Sequence, residues 1–166
     1  PKHAVRLLAM TDTRGWTPVH HAVCSGDAGI VQAVLDAGAL DEMLAKKATG
    51  AQNPLHIASS KGHGDACRVL AKRAPQLLLE RSPSGLDPLA LAAQEGHEEA
   101  VVALLDTRAD VNASDVEGLT ALHWAALMDH PAVCKLLVDA GADETRLDSA
   151  GNAIAPWELD PACTHE

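Results

Sequence analysis

Apolar residues recur at helical spacing through residues 118–143, which contain the clearest pattern in the chain. Two short apolar faces are formed by Leu122, Ala125, Ala126, Val133, Cys134, Leu136, Leu137 and Val138. Thr120 precedes the first face and is a favourable N-cap, because its hydroxyl can accept from an otherwise unpaired backbone N–H. Pro131 suits the first position of the second helix, where its missing N–H costs nothing, and Gly141 can end that helix in the left-handed conformation. The pattern predicts two short helices followed by a return loop.

The same pattern returns along the chain at nearly constant intervals. We define the first residue of each predicted first helix as its anchor. The anchors are Pro18, Pro54, Pro88, Ala121 and Pro156, separated by 36, 34, 33 and 35 residues. The strings around them, TPVHHA, NPLHIA, DPLALA, TALHWA and APWELD, resemble the T-P-L-H-x-A motif of the ankyrin repeat family, whose period is about 33 residues. The resemblance covers nearly the whole chain and implies an all-α ankyrin repeat solenoid, in which helix–turn–helix units are joined by β-hairpin-like loops.

The repeats divide residues 1–166 into a single array. The predicted units are an N-terminal capping or partial helix at 2–12, repeat one at 13–48, repeat two at 49–82, repeat three at 83–115, repeat four at 116–148 and a truncated repeat at 149–166. The first unit lacks the usual return loop, which a capping helix explains as well as residues absent from the chain. In the last unit two extra residues precede Pro156, and Pro161 interrupts its helix. We expect this unit to leave the apolar side of repeat four uncovered, so that further chain, a partner or self-association through the C-terminal end covers it.

Positions counted from the anchors predict the core between repeats. The first-helix positions, one and four residues after the anchors, are Val19, Leu55, Leu89, Leu122, Ala22, Ala58, Ala92 and Ala125. The second-helix positions, thirteen and sixteen residues after them, are Val31, Cys67, Val101, Cys134, Val34, Leu70, Leu104 and Leu137. Because Cys67 and Cys134 alternate with valine at one position, we expect both to be small apolar core residues rather than nucleophiles or redox thiols.

Histidine is abundant, with nine in the chain, but most of the histidines recur in register. His20, His56 and His123 lie two residues after an anchor, and His63, His97 and His130 lie nine residues after one. The resemblance implies that the histidines two residues after an anchor form hydrogen bonds with backbone groups of adjoining loops. Ala90 and Glu158 stand at this position in the other two units, which therefore lack the bond. Such repetition disfavours a metal site, because a metal ion needs several ligands that converge on one point. The alternative is a metal site at the one local cluster, His20, His21 and Cys24. Since no phosphate-binding glycine loop, HExxH, GxSxG or CxxC pattern occurs, we expect no cofactor, no metal and no enzymatic activity.

The formal net charge of −10 is unevenly distributed. Residues 1–83 carry ten Lys and Arg against seven Asp and Glu, a net +3, whereas residues 84–166 carry three against sixteen, a net −13. The acidic half either keeps the array soluble or attracts a basic partner, and both interpretations disfavour nucleic acid. Four Cys without short paired spacing, and no signal or membrane-spanning run, favour an intracellular protein, cytoplasmic or nuclear, without membrane insertion.

The resemblance also implies that a partner binds the concave face formed by the hairpin tips and the first helices. The predicted partner-binding residues are Arg14, Trp16, Leu86, Glu95, Glu117, Leu119, Trp124, Leu127 and Met128. Most of the apolar members occupy positions that the fold leaves in water, and exposed apolar clusters mark interaction sites. The alternative is that Leu86 and Leu119 staple neighbouring hairpins and that Trp124 belongs to the core.

These observations predict a non-catalytic protein–protein interaction module or scaffold, whose partner carries a basic or mixed apolar–basic segment. One alternative is a regulatory or substrate-recruiting segment of a larger enzyme, channel or signalling protein, which fits a chain that begins at Pro1. Another is a substrate of asparaginyl hydroxylase. Residues 104–112, LLDTRADVN, resemble its acceptor pattern of leucine, an acidic residue, an aliphatic residue and asparagine, with Asn112 as the acceptor.

Overall fold

Each helix pair starts where the sequence supplies a capping residue followed by apolar positions at helical spacing. The structure is a computed structural model that describes residues 11–38 and 52–155. Its helices are α1 (Pro18–Ser25), α2 (Ala28–Asp36), α3 (Pro54–Ser60), α4 (Gly64–Arg73), a 3₁₀ helix (Pro75–Leu79), α5 (Pro88–Gln94), α6 (Glu98–Asp106), α7 (Ala121–Leu127) and α8 (Pro131–Asp139). Within these ranges the helix pairs stack in chain order and no extended strand occurs, so the predicted all-α solenoid is confirmed. None of the described helices is long and apolar enough to cross a membrane.

The first helices begin at polar residues that bond the first turn. Thr120 Oγ1 accepts from the backbone N–H of His123, while the ring Nδ1 of His123 accepts from the backbone N–H of Thr120 at 3.2 Å. This reciprocal capping box fixes the start of α7. In repeat three the cap is Asp87, which accepts from the backbone N–H of Ala90 at 2.8 Å. Because alanine stands here at the position of His123, α5 has no ring nitrogen that could accept from the backbone N–H of Asp87, and the reciprocal half of the capping box is missing.

The core lies between successive repeats and contains the predicted positions. All of those one, four and thirteen residues after the anchors are buried. Val34 is an exception among the positions sixteen residues after the anchors: it is only half-buried, and Leu35 fills the core of repeat one instead. A one-residue change corresponds to about 100° around a helix. Helix α2 therefore presents a different edge to the core than the equivalent helices do.

Hairpin hydrogen bonds set the register of the last described unit. The isolated bridges pair Ser114 with Thr120 and Leu147 with Ala153. Each residue of the second bridge lies 33 positions after its counterpart in the first, so Ile154 corresponds by position to Ala121, although Ile154 and Ala155 are not helical. Ile154 and Ala155 are thus the two extra residues expected before the anchor, and the predicted anchor Pro156 itself lies outside the described residues.

Several predictions concern residues outside the described ranges: the helix at 2–10, the repeat-one exit loop at 39–51 and the last unit from Pro156, including Pro161. The expectation that the apolar side of repeat four is uncovered is wrong for its principal residues. Val133 and Leu137 are both buried. Ile154 and Ala155 pack against the same core.

Candidate functional site

The hairpin and first helix of repeat four carry large apolar side chains that remain in contact with solvent. Val116 is 84% exposed, Leu127 55% and Met128 44%, while Leu119 and Trp124 are half-buried. Leu127 and Met128 follow Trp124 by three and four residues, so the three side chains share one side of α7. We refer to these five residues as the repeat-four patch. Val116 was not among the predicted partner-binding residues. The sequence did contain a signal for it, namely a large apolar residue directly after the aspartate of a hairpin tip.

Asp115 connects the two parts of the repeat-four patch. Its Oδ1 accepts from the backbone N–H groups of Glu117 and Leu119, both at 2.9 Å, and so shapes the hairpin tip. Its Oδ2 accepts from the indole Nε1–H of Trp124 at 3.0 Å. One carboxylate therefore fixes the tip and the orientation of the indole ring together.

Leu86 is not an exposed contact residue, contrary to expectation. It is 1% exposed and forms a small apolar cluster with Ala90 and Leu91 on α5. Trp124 of the next repeat packs against this cluster and covers it. Leu86 is therefore a packing residue between two first helices rather than an exposed contact residue, and Trp124 is partly structural.

A second polar and aromatic group lies at the tip of repeat one. The Arg14 guanidinium lies 4.7 Å from the ring centroid of the half-buried Trp16. Asp12 Oδ2 lies 3.3 Å from both Arg14 Nη2 and His21 Nε2. The backbone N–H of Trp16 lowers the pKa of Asp12, and Arg14 acts in the same direction. Arg14 and Trp16 thus lie together at the tip of repeat one, where both contact other residues of the same group.

Exposed acidic side chains lie in repeat four and at the end of the first helix of repeat three. Glu95 and Glu117 are exposed as expected, and Asp129, which the prediction did not include, is also exposed. The Glu117 carbonyl oxygen accepts from the backbone N–H of Ser149 at 2.8 Å and from its hydroxyl at 2.6 Å. These bonds hold the tip of repeat four against the next tip and leave the Glu117 carboxylate in solvent.

Of the three histidines two residues after an anchor, His56 makes the bond to a loop backbone group that the resemblance implied. His56 Nε2 lies 3.0 Å from the carbonyl oxygen of Glu80 in the exit loop of its repeat. Burial lowers the pKa of His123, although Asp148 opposes the shift. In residues 11–38 and 52–155 no group of three or more His, Cys, Asp or Glu is placed to hold a metal ion.

The buried thiols have the surroundings of core residues. Burial raises the pKa of Cys67 to about 12 and that of Cys134 to about 11. Both side chains are inaccessible to solvent, while Cys24 is half-buried. A thiol that resists ionisation is a poor nucleophile, because the thiolate is the reactive form.

Asn112 holds two exit loops together. Its Oδ1 accepts from the backbone N–H of Asp143 at 2.8 Å, and its Nδ2 donates to the carbonyl oxygen of Gly141 at 3.3 Å. Both polar atoms of the amide are therefore engaged by the next repeat. An enzyme that acts on Asn112 must first open this contact.

Comparison with known families and relatives gives a consistent result. A family model described as ankyrin repeats (3 copies) matches residues 2–81 and 74–148. The human ankyrin repeat domain-containing protein SOWAHD is 35% identical over 118 residues, which are 62% of this chain and 38% of that protein. The human neurogenic locus notch homolog protein 2 is 34% identical over 143 residues, 86% of this chain and 6% of that protein.

The similarity extends to a channel subunit and to a solved structure. The transient receptor potential cation channel subfamily A member 1 of Drosophila melanogaster is 30% identical over 142 residues, 86% of this chain and 9% of that protein. The chain thus spans less than half the length of these three curated relatives. The crystal structure of EF0377, an ankyrin repeat protein, is similar with a TM-score of 0.80 and 27% identity, over 92% of this chain and 78% of that chain.

Proposed function

The chain belongs to the ankyrin repeat family, whose members are generally protein–protein interaction modules, and we propose that it binds a protein or peptide partner on its concave face without catalysing a reaction. The repeat-four patch is the centre of this surface. Its exposed Leu127 and Met128 are the observation that carries the proposal, because large apolar side chains side by side in water mark interaction sites. Arg14 and Trp16 extend the surface towards repeat one.

The partner presents a segment that combines apolar and basic residues. Glu95 and Glu117 flank the patch with exposed carboxylates, and the net charge of residues 84–166 is −13. Complementary charge steers a partner towards a surface, and added salt weakens this steering because it screens the charges. A basic segment with large apolar side chains fits both the charge and the exposed area.

The non-catalytic part of the proposal is supported by the thiols. Cys67 and Cys134 are buried and their pKa values are raised, so neither supplies a thiolate at neutral pH. The unpaired thiols also support an intracellular location, cytoplasmic or nuclear, where cysteines stay reduced.

A second candidate function is that of a recruiting segment within a larger protein. The curated relatives include a notch homolog and a cation channel, in which the matching region is 6% and 9% of the length. In such a setting the same concave surface holds a substrate or a regulatory partner for chemistry that lies elsewhere in the protein.

Selection of peptides from a random display library tests the proposal directly, because it requires only the chain itself. The chain is immobilised, bound peptides are selected, and each is measured against the double variant Leu127→Ser/Met128→Ser. The control is Leu79→Ser, because Leu79 is 78% exposed on the 3₁₀ helix, away from the patch. We expect the double variant to weaken binding by about tenfold or more, while the control binds normally.

The composition of the selected peptides tests the partner chemistry. We expect enrichment of Lys or Arg beside large apolar residues, and affinities that fall as salt is raised. Failure to enrich any peptide, or equal binding to the double variant, contradicts the proposed surface. Binding that is insensitive to salt contradicts the basic partner and leaves the acidic half as a solubilising surface.

A further inference from the structure

A groove lies between the second helices of repeats one and two. It is lined by Ala28 and Gln32 of α2 and by Val69, Lys72 and Arg73 of α4. Ala28 and Val69 are half-buried, whereas Lys72 and Arg73 are exposed. We refer to these five residues as the α2–α4 groove. It combines apolar side chains with exposed positive charge.

The α2–α4 groove carries two basic side chains outside the ion pairs of its own helix. The other residues that line it, Asp65 and Arg68, pair with each other at 2.8 Å, and Arg68 also lies 3.4 Å from Asp106. Among the described residues, neither Lys72 nor Arg73 has an ion-pair partner. These two cations are therefore the charges with which the groove can attract a partner.

The equivalent groove of the next two repeats shows that the fold leaves this kind of surface accessible. It lies between α4 and α6, and its lining includes Gly64, Glu99 and Val102. The exit loop of repeat two, residues 74–82, is described and does not line it. By the same repetition we expect the exit loop of repeat one to leave the α2–α4 groove accessible.

The repeat-four patch has the complementary chemistry. Leu127 and Met128 are 55% and 44% exposed, and the exposed Asp129 follows them directly. The residues equivalent to Met128 in repeats two and three are Lys61 and Glu95, and both stay exposed although the unit that follows each of them is described. A following unit therefore does not cover this position of a first helix.

The two surfaces lie in opposite halves and on opposite sides of the solenoid. Residues 1–83 carry a formal net charge of +3, and residues 84–166 carry −13. The second helices form the side opposite the concave face, so the convex side of one molecule can enter the concave side of another. Charge and shape thus both favour contact between the basic half of one molecule and the acidic half of the next.

We propose that the partner of the repeat-four patch is a second copy of this chain, whose α2–α4 groove receives Leu127 and Met128. Lys72 and Arg73 of that copy then face the exposed carboxylate of Asp129. This inference rests on the proposed function and names its partner. The contact joins two different surfaces, so each added copy leaves one patch and one groove free, and association continues head to tail.

Analytical ultracentrifugation of the full chain tests the contact with two variants. The groove variant is Lys72→Glu/Arg73→Glu, and the patch variant is Leu127→Ser/Met128→Ser. We expect the mass of the wild type to rise with concentration and to fall with added salt. Each variant alone should associate about tenfold more weakly. An equimolar mixture of the two should form a dimer that grows no further, because it contains only one intact groove and one intact patch per pair.

The control separates the groove from net charge. Arg108→Glu/Lys135→Glu changes the net charge as much as the groove variant does, at exposed positions of repeats three and four. We expect this control to associate as the wild type does. Equal weakening in the control and the groove variant would show general repulsion between molecules and would overturn the inference.

Other outcomes separate this inference from the proposed function. A wild type that stays monomeric at high concentration and low salt, or a mixture of the two variants that stays monomeric, overturns the second copy as partner. If selected peptides still require Leu127 and Met128, the proposed function stands with a foreign partner. If neither peptides nor a second copy depend on these two residues, the proposed function fails and the inference fails with it.

Discussion

The indole Nε1–H of Trp124 donates a 3.0 Å hydrogen bond to Oδ2 of Asp115, whose other carboxylate oxygen organises the hairpin tip. A similar arrangement occurs in repeat one, where Asp12 Oδ2 lies 3.3 Å from Nε2 of His21. In both repeats the partner ring lies three residues after the anchor. The aspartate at the base of a hairpin therefore joins the tip to the concave side of the first helix.

Substitution Asp115→Asn should release Trp124 while keeping the hairpin. The asparagine Oδ1 can still accept from the tip N–H groups, but its amide presents a donor to the indole N–H. We expect faster hydrogen exchange of the Trp124 indole N–H by NMR, unchanged backbone signals in the tip, and a loss of about 1 kcal/mol in unfolding free energy. The matched control is Asp148→Asn, which should leave the Trp124 signal unchanged. An unaltered Trp124 signal in Asp115→Asn would show that packing alone holds the ring.

Alanine substitutions at two glycines should separate the cost of conformation from the cost of lost space. Gly96 and Gly141 both have positive φ, at 74° and 93°, but only Gly96 has the ring of His130 above it. A Cβ on Gly141 meets nothing within 4 Å. We expect Gly141→Ala to cost about 1 kcal/mol and Gly96→Ala about 3 kcal/mol in urea denaturation. The double variant Gly96→Ala/His130→Ala should remove the additional clash; equal losses for the two single variants would contradict the stacking role.

The core thiols should make the fold sensitive to alkali. Burial raises the pKa of Cys67 from 9.0 to about 12, so the folded state retains a proton that the unfolded chain loses. Its contribution to stability is complete below pH 9 and is lost as the pH rises towards 12. Cys67→Val introduces the valine that stands at the same position in repeats one and three, and it should flatten the decline of the unfolding free energy with pH, measured by denaturation.

In the native protein at neutral pH, thiol reagents should modify Cys24 before Cys67 and Cys134. Rapid labelling of all three thiols would contradict the burial of Cys67 and Cys134.

His123 should make the fold sensitive to mild acid. Burial lowers its pKa from 6.5, so the unfolded chain takes up a proton more readily than the folded protein does. The stability is therefore present above pH 6.5 and is lost as the pH falls through the folded pKa. Urea midpoints measured across this range should fall with pH, and His123→Ala should show a weaker dependence. Repeat three already has alanine at this position, as Ala90, so the variant is expected to fold. An identical slope in both proteins would assign the acid sensitivity to other groups.

Much of the fold could be predicted because its determinants are local and repeated. Thr120 as a cap, Pro131 at a helix start and Gly141 as a left-handed helix end each depend on a few neighbouring residues. The alternation of Cys67 and Cys134 with valine was enough to locate the core, because a position that accepts only small apolar side chains is a buried one. Exposure of Leu127 and Met128 followed from their place at the end of a first helix.

Contacts between repeats decided what the sequence alone left open. Whether Leu86 is exposed depends on Trp124 from the next repeat, which covers it, and that ring is oriented by Asp115 rather than by its own helix. The register of the chain up to Ile154 is set by hydrogen bonds across a hairpin. Helix caps and core positions repeat because every unit meets the same local requirements. The partner surface differs from repeat to repeat, because it is formed where side chains from neighbouring units meet.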